Sequence, residues 1–191
     1  DAGHREFGEM GVDEVAPEAG DDDRLARAEP CREAQRVLEQ RAARHLDERL
    51  DKFLAAHEDE LVAFRRQIHA HPELSWEEHQ TTALLHSRLA VADLEPQPLE
   101  TETGLVLDLG DPGAGPTVAL RADIDALPLD DEKDVPYRST VPGVCHACGH
   151  DVHTTILLGA TLLLAELLPD LDPAGRVRLL FQPAEEAMPG G

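Results

Sequence analysis

Aromatic side chains are scarce in this sequence: four Phe, one Trp and one Tyr, 3% of the chain. Any core must therefore rest on Leu, Val and Ala. Positive charge is thin as well. Lys52 and Lys133 are the only lysines, and Asp plus Glu outnumber Lys plus Arg by 39 to 17, a formal net charge of −22. Nucleic acid and anionic membrane faces both need clustered cations, so neither is expected as a partner. No apolar run approaches the roughly 18 residues of a membrane span, and no basic-then-apolar signal opens the chain. Three cysteines without such a signal favour free thiols or ligands over disulfides, in a reducing, cytoplasmic setting. What remains, 191 residues of which 41% are hydrophobic, suffices for one domain with a substantial core.

Residues 1–30 carry ten acidic and three basic residues with scattered Gly and Pro and no periodicity. Residues 1–32 are therefore expected to be a solvated, disordered leader, with Cys31 an inert thiol, and residues 33–191 the folded domain. Leu38, Leu46, Leu50, Phe53, Leu54, Leu61 and Ile68 recur at helical spacing from Glu33 to Ala70, with a break expected near Ala56-His57. Pro72 stops that pattern. Ser75-Trp76-Glu77-Glu78 then reads as a capping box opening a helix from Trp76 to about Ala92. His69 and His71 form an H-x-H pair, read as helix C-terminal caps in preference to metal ligands.

Gly104–Leu109, Thr117–Arg121 and Val177–Phe181 read as strands, the second apolar enough to lie inside a sheet. It runs into Arg121-Ala-Asp-Ile-Asp-Ala-Leu-Pro128, which puts Asp123 and Asp125 at its C-terminal edge, where open α/β sheets bind ligands. The order of elements predicts an α/β sandwich with helices packed on a mixed sheet.

The densest chemistry lies in Cys145-His-Ala-Cys-Gly-His-Asp-Val-His-Thr154, on the approach to a leucine-rich helix. Cys148 and His150, two apart around Gly149, point to one side of an extended loop and suit Zn²⁺, Co²⁺ or Mn²⁺. Asp151 fits a helix cap, a carboxylate orienting a ligating histidine, or both. His153 fits a ligand or a packing residue equally. Glu185 and Glu186 follow a strand and, being adjacent, point opposite ways. One can bind metal while the other moves protons, as metal-assisted hydrolysis requires. The pair also fits a solvated acidic turn, which spacing alone favours. Two further alternatives stand beside these: a redox C-x-x-C formed by Cys145 and Cys148, and a structural zinc held by Cys145, Cys148, His150 and His153.

Taken together, Arg65–Leu74, Leu120–Pro128, Gly143–Thr154 and Phe181–Glu186 resemble, in order and in register, the metal-dependent amidohydrolases and metallopeptidases. That family includes hippurate hydrolases, aminoacylases, indoleacetyl-amino-acid hydrolases and N-acetyl-diaminopimelate deacetylases. The resemblance covers roughly residues 61 to 191. It implies a zinc-peptidase-like α/β/α sandwich with a mixed sheet, and hydrolysis of N-acyl amino acids or small peptides to an acid and an amine. It implies a pair of divalent ions with Cys148, His150 and Glu186 as ligands and Glu185 as general base and later acid. Asp125 would support the metal site, with Asp123 beside it. Cys145 stands where the family commonly has an apolar residue. The resemblance further implies that later histidine ligands, a lid or dimerisation domain and the closing part of the catalytic domain lie beyond Gly191, so that the full enzyme could be a homo-oligomer. A non-catalytic metal-binding fragment of such an enzyme is the alternative in a different class.

Overall fold

The computed structural model describes residues 21–171 and 175–191. Among these described residues, three helices and four strands follow in the order α1 (Asp21–Ala70), α2 (His79–Val91), β1 (Gln97–Pro98), β2 (Leu105–Gly110), β3 (Thr117–Asp123), α3 (His150–Leu171) and β4 (Arg176–Gln182). The backbone forms two compact units, the first ending at Arg49 and the second running from Leu50 to Gly191. Every site residue described below belongs to the second. Of the expected leader, residues 1–20 lie outside the described residues, whereas 21–32 are helical in backbone. The break expected at Ala56-His57 does not occur; α1 passes through it without interruption. No Pro or Gly stands there to interrupt the backbone hydrogen bonds.

The sheet is mixed, in the order β1-β2-β4-β3. β2 runs antiparallel to β4, pairing Leu105 with Phe181 and Leu107 with Leu179. These four side chains share one face, as the period-two alternation of a strand requires. They are buried with Phe64 and Ile68 of α1, Leu85 and Leu89 of α2, and Leu157 and Leu158 of α3. The opposite face carries Asp108 between Arg176 and Arg178. Leu dominates this core as expected, but Ile and two phenylalanines take the place foreseen for Val, and Val177 is only partly buried against it.

β3 is not the interior strand its composition suggests. Among the described residues it pairs only with β4, and Thr117 to Arg121 are exposed. Apolar sequence cannot tell an edge from a centre, because the pairing partner is supplied from elsewhere in the chain. α3 is also long and apolar enough to pass as a membrane span by length and composition, with a mean hydropathy of 1.6 over His150–Asp170. In this fold its Leu157, Leu158 and Leu167 are buried in the protein.

The β3–α3–β4 segment decides where chemistry can happen. β3 and β4 are parallel neighbours, with Asp123 opposite Gln182, so the chain leaves both at the same edge of the sheet. α3 returns between them in sequence and so begins at that edge. Hence residues 123–125, 148–150 and 183–186, far apart in sequence, arrive together.

Candidate metal centre

His150 lies at the middle of this convergence and is buried, with 3% of its surface exposed. Its Nδ1 is held by Asp125 twice, by the backbone oxygen at 3.0 Å and by Oδ1 at 3.1 Å. A ring nitrogen held in this way donates its proton to Asp125 and fixes the tautomer, leaving Nε2 free for a ligand. Around Nε2 stand Asp123 Oδ2 at 3.6 Å and Glu185 Oε2 and Glu186 Oε1, each at 3.9 Å. Arg121 pairs with Asp123 through its other oxygen, Oδ1, at 3.0 Å, which leaves the negative charge of Glu185 and Glu186 facing the imidazole nitrogen from beyond hydrogen-bond reach. That arrangement fits a cation.

Ligand atoms of Cys148, His150 and Glu186 all lie within 4.8 Å of one another. A thiol sulfur, an imidazole nitrogen and a carboxylate oxygen form a donor set suited to Zn²⁺, Co²⁺ or Mn²⁺. Asp123, His150 and His153 make a second such group. His150 belongs to both, and only its Nε2 is uncommitted, so a single ion at a time can draw on it. His153 is half-exposed, with Nδ1 at 3.7 Å from Asp123 Oδ2 and its ring 5.6 Å from that of His150, so it meets both a ligand neighbour and a packing neighbour.

Asp125 does not face the cation-shaped gap. Beyond His150, its Oδ2 accepts from Ser75 Oγ at 2.8 Å and from the Glu186 backbone N–H at 2.9 Å. Burial works to raise its pKa, but the hydrogen bonds from His150, the Glu186 amide and Ser75 outweigh it and hold the carboxyl down at about 2. It stays ionised and ties the histidine to the Glu185-Glu186 turn. The hydrogen bond to Asp125 in turn pushes the His150 pKa up. The Cys148 thiol, exposed at the surface, is pushed up by its hydrogen bond with Glu186. Ligation by that sulfur would therefore release a proton.

Asp151 behaves differently from both roles expected of it. Its Oδ2 bonds His69 Nδ1 at 2.7 Å and pairs with Arg65 Nε at 2.8 Å, while Oδ1 has no protein partner. It neither touches the His150 ring nor caps a helix N–H; it fastens the start of α3 to the end of α1. His69 is correspondingly not a helix cap. It is fully buried, with Nε2 3.1 Å from Asp131 Oδ2, and Asp131 is held well below the usual carboxylate range, chiefly by the Ser139 N–H. His71 is exposed just past the helix, and its imidazole is not the cap either: Nδ1 meets Thr140 Oγ1 at 3.2 Å, and it is the Thr140 hydroxyl that bonds the last helical carbonyl, that of Ala70, at 2.7 Å.

The capping box at Ser75 also fails to form. α2 starts at His79 with no side-chain bond from its Glu78 N-cap. Glu73 supplies the cap instead, accepting from the N–H groups of Gln80 at 2.9 Å and Thr81 at 2.8 Å. That frees Ser75 for Asp125 and Glu78 for the backbone N–H of Ala184 at 2.8 Å. Sequence reasoning missed these two. The available signal was that S-x-x-E belongs to the same stretch as the Arg65–Leu74 motif.

The redox alternative loses ground here. Cys145 is buried and its thiol is pushed up by burial and by Asp131, and Cys148 is raised too. Redox-active pairs need at least one lowered thiol. Cys145 is also absent from both ligand groups, against the four-residue zinc knuckle.

Residues 119–191 match the family model of peptidase family M20/M25/M40. The chain belongs to the peptidase M20 family. A Bacillus subtilis (strain 168) N-acetyl-L-cysteine deacetylase is 47% identical over 137 residues, which is 72% of this chain and 32% of that protein. A Rhodococcus jostii (strain RHA1) protein with a provisional glutamate–cysteine ligase name is 52% identical over 134 residues, 70% of this chain but only 16% of that much longer protein. Among solved structures, a Bacillus subtilis protein described as a dinuclear metal binding peptidase of the M20 family superposes with a TM-score of 0.66 at 39% identity. That match covers 71% of this chain and 38% of the other. The chain thus spans about a third of the length of its deacetylase relative, and the M20 members it resembles share its α/β fold with a mixed sheet.

Proposed function

We propose that residues 33–191 belong to the catalytic domain of a metal-dependent amidohydrolase that cleaves the amide bond of N-acyl amino acids or small peptides. The observation that carries this reading is the meeting of Cys148, His150 and Glu186 around the free Nε2, with Glu185 Oε2 beside them at 3.9 Å. Cys148 Sγ, His150 Nε2 and Glu186 Oε1 would hold a divalent ion, Zn²⁺, Co²⁺ or Mn²⁺, and Asp123 and His153 flank the same gap. An ion there supplies Lewis acidity, which acidifies water and polarises an amide carbonyl.

Glu185 takes the proton work. Its side chain is 40% exposed and so reaches water, whereas Asp125 is engaged on both oxygens. Glu185 Oε2 removes a proton from the attacking water and returns it to the departing nitrogen, which leaves as an amine. Asp125 keeps His150 in one tautomer and one orientation throughout. The deacetylase relative acts on an N-acetylated amino acid, and the structural relative binds two metals; both support an N-acyl substrate and a two-ion site in the complete protein.

The test is the purified chain with Mn²⁺, Zn²⁺ or Co²⁺ and a panel of N-acyl amino acids. Amine release that Glu185→Gln abolishes while metal is retained supports the proposal. Metal bound without release would favour a second reading, a metal-binding segment that needs further residues for turnover, consistent with the share of its relatives it spans. No metal bound at all would refute the site.

A further inference from the structure

Glu78 is fully buried, and it lies 106 residues from the one atom it serves. Its Oε1 accepts the Ala184 N–H at 2.8 Å, and its Oε2 has no protein partner. Burying a carboxylate for a single backbone bond is unfavourable unless that bond fixes something. Ala184 is unusual in turn. It has φ of +52° and is wholly buried, and residues with a Cβ seldom adopt that region. Its carbonyl oxygen accepts from Gly191 N at 3.0 Å, so the residue is bonded on both sides. The reversal at Ala184 immediately precedes Glu185 and Glu186 and sets where those two side chains start.

We propose that Glu78 is a positioning residue: by holding the Ala184 N–H it keeps the chain in the left-handed region and aims Glu185 and Glu186 at His150. This rests on the metal-site reading above for its functional meaning, but not for its geometry. The same short segment makes a second tie, since Ser75 Oγ bonds Asp125, which receives the Glu186 N–H. Residues 75–78 therefore hold the acidic turn at two points, Ala184 directly through Glu78 and Glu186 through Ser75 and Asp125. Glu73, two residues before Ser75, does different work at the start of α2.

The experiment compares the 191-residue chain with Glu78→Gln and Glu78→Asp. Gln keeps an acceptor at the same reach and loses the charge; Asp keeps the charge and is one methylene too short. Amide exchange is followed by NMR in the metal-free chains, and Co²⁺ is then titrated and read at the thiolate-to-cobalt absorption. Ala184 and Glu186 are expected to exchange near the wild-type rate in Glu78→Gln and at least about tenfold faster in Glu78→Asp, with Leu179 and Phe181 unchanged in both. Co²⁺ affinity is expected to fall about ten- to a hundredfold in Glu78→Asp and little in Glu78→Gln. Equal exchange at Ala184 in all three chains would overturn the proposal. So would loss of protection spreading equally to Leu179 and Phe181, or a loosened Ala184 with unchanged Co²⁺ binding. A wild-type chain that takes up no Co²⁺ would instead sink the metal site, while the exchange rates still decide whether Glu78 holds the turn.

Discussion

His146 predicts a measurable pH dependence of stability. It lies in the loop before α3 with 4% of its surface exposed, and neither ring nitrogen has a protein partner. Burial, outweighing the opposing pull of Asp151, pushes its pKa from 6.5 down to about 4. The unfolded chain therefore takes up a proton before the folded one does. Stability is complete above about pH 6.5 and falls as pH drops towards 4, with about 3 kcal/mol lost over the whole window. Between pH 7 and pH 5 the share is about 2 kcal/mol. The assay is urea unfolding of the metal-free chain at both pH values, beside His146→Phe. Phe cannot take a proton, and because His146 makes no hydrogen bond, the substitution orphans no partner. Other titrating groups, including His150 with its raised pKa, act equally in both chains and cancel in the difference. Wild type should lose about 2 kcal/mol more than the variant, a midpoint difference on the order of 1 M urea. Parallel losses in the two chains would refute the assignment of a buried, neutral imidazole.

Two further substitutions separate backbone effects from contact effects. Gly149, between Cys148 and His150, has φ of +85°, and a Cβ there would meet nothing within 4 Å; Gly149→Ala should cost only the left-handed penalty of about 1–2 kcal/mol in a urea melt, and a much larger loss would mean a clash the structure does not contain. Glu73→Ala removes the carboxylate that serves Gln80 and Thr81 at the start of α2 and should cost about 1–2 kcal/mol, whereas Glu78→Gln should leave α2 as stable as before; the capping-box reading makes the opposite forecast.

The parts of this protein that could be read from sequence are those set by local pattern. Alternating Leu and Phe placed β2 and β4, the leucine run placed α3, and C-x-H followed by E-E marked residues that the sheet edge then gathers. Pairing was not legible. β3 looks interior because Val118, Ala119 and Leu120 are apolar, yet its neighbour on one side only is β4. Roles of buried polar groups were not legible either, because they depend on partners dozens of residues away. Asp151 reaches His69 across 82 positions and Glu78 reaches Ala184 across 106. Each had a plausible local role, cap or capping box, that the folded chain does not use. The resemblance to the amidohydrolases supplied what spacing could not, a proposed division of labour between two adjacent glutamates that stand equally far from His150 Nε2, each at 3.9 Å.

The central claim is that one cation site is built from Cys148, His150 and Glu186. Co²⁺ added to the purified chain tests it most directly, because thiolate ligation gives its own absorption. The account predicts that the band appears with proton release, survives Cys145→Ser, and disappears in Cys148→Ser. A band that survives Cys148→Ser, or one that depends on Cys145, would contradict it.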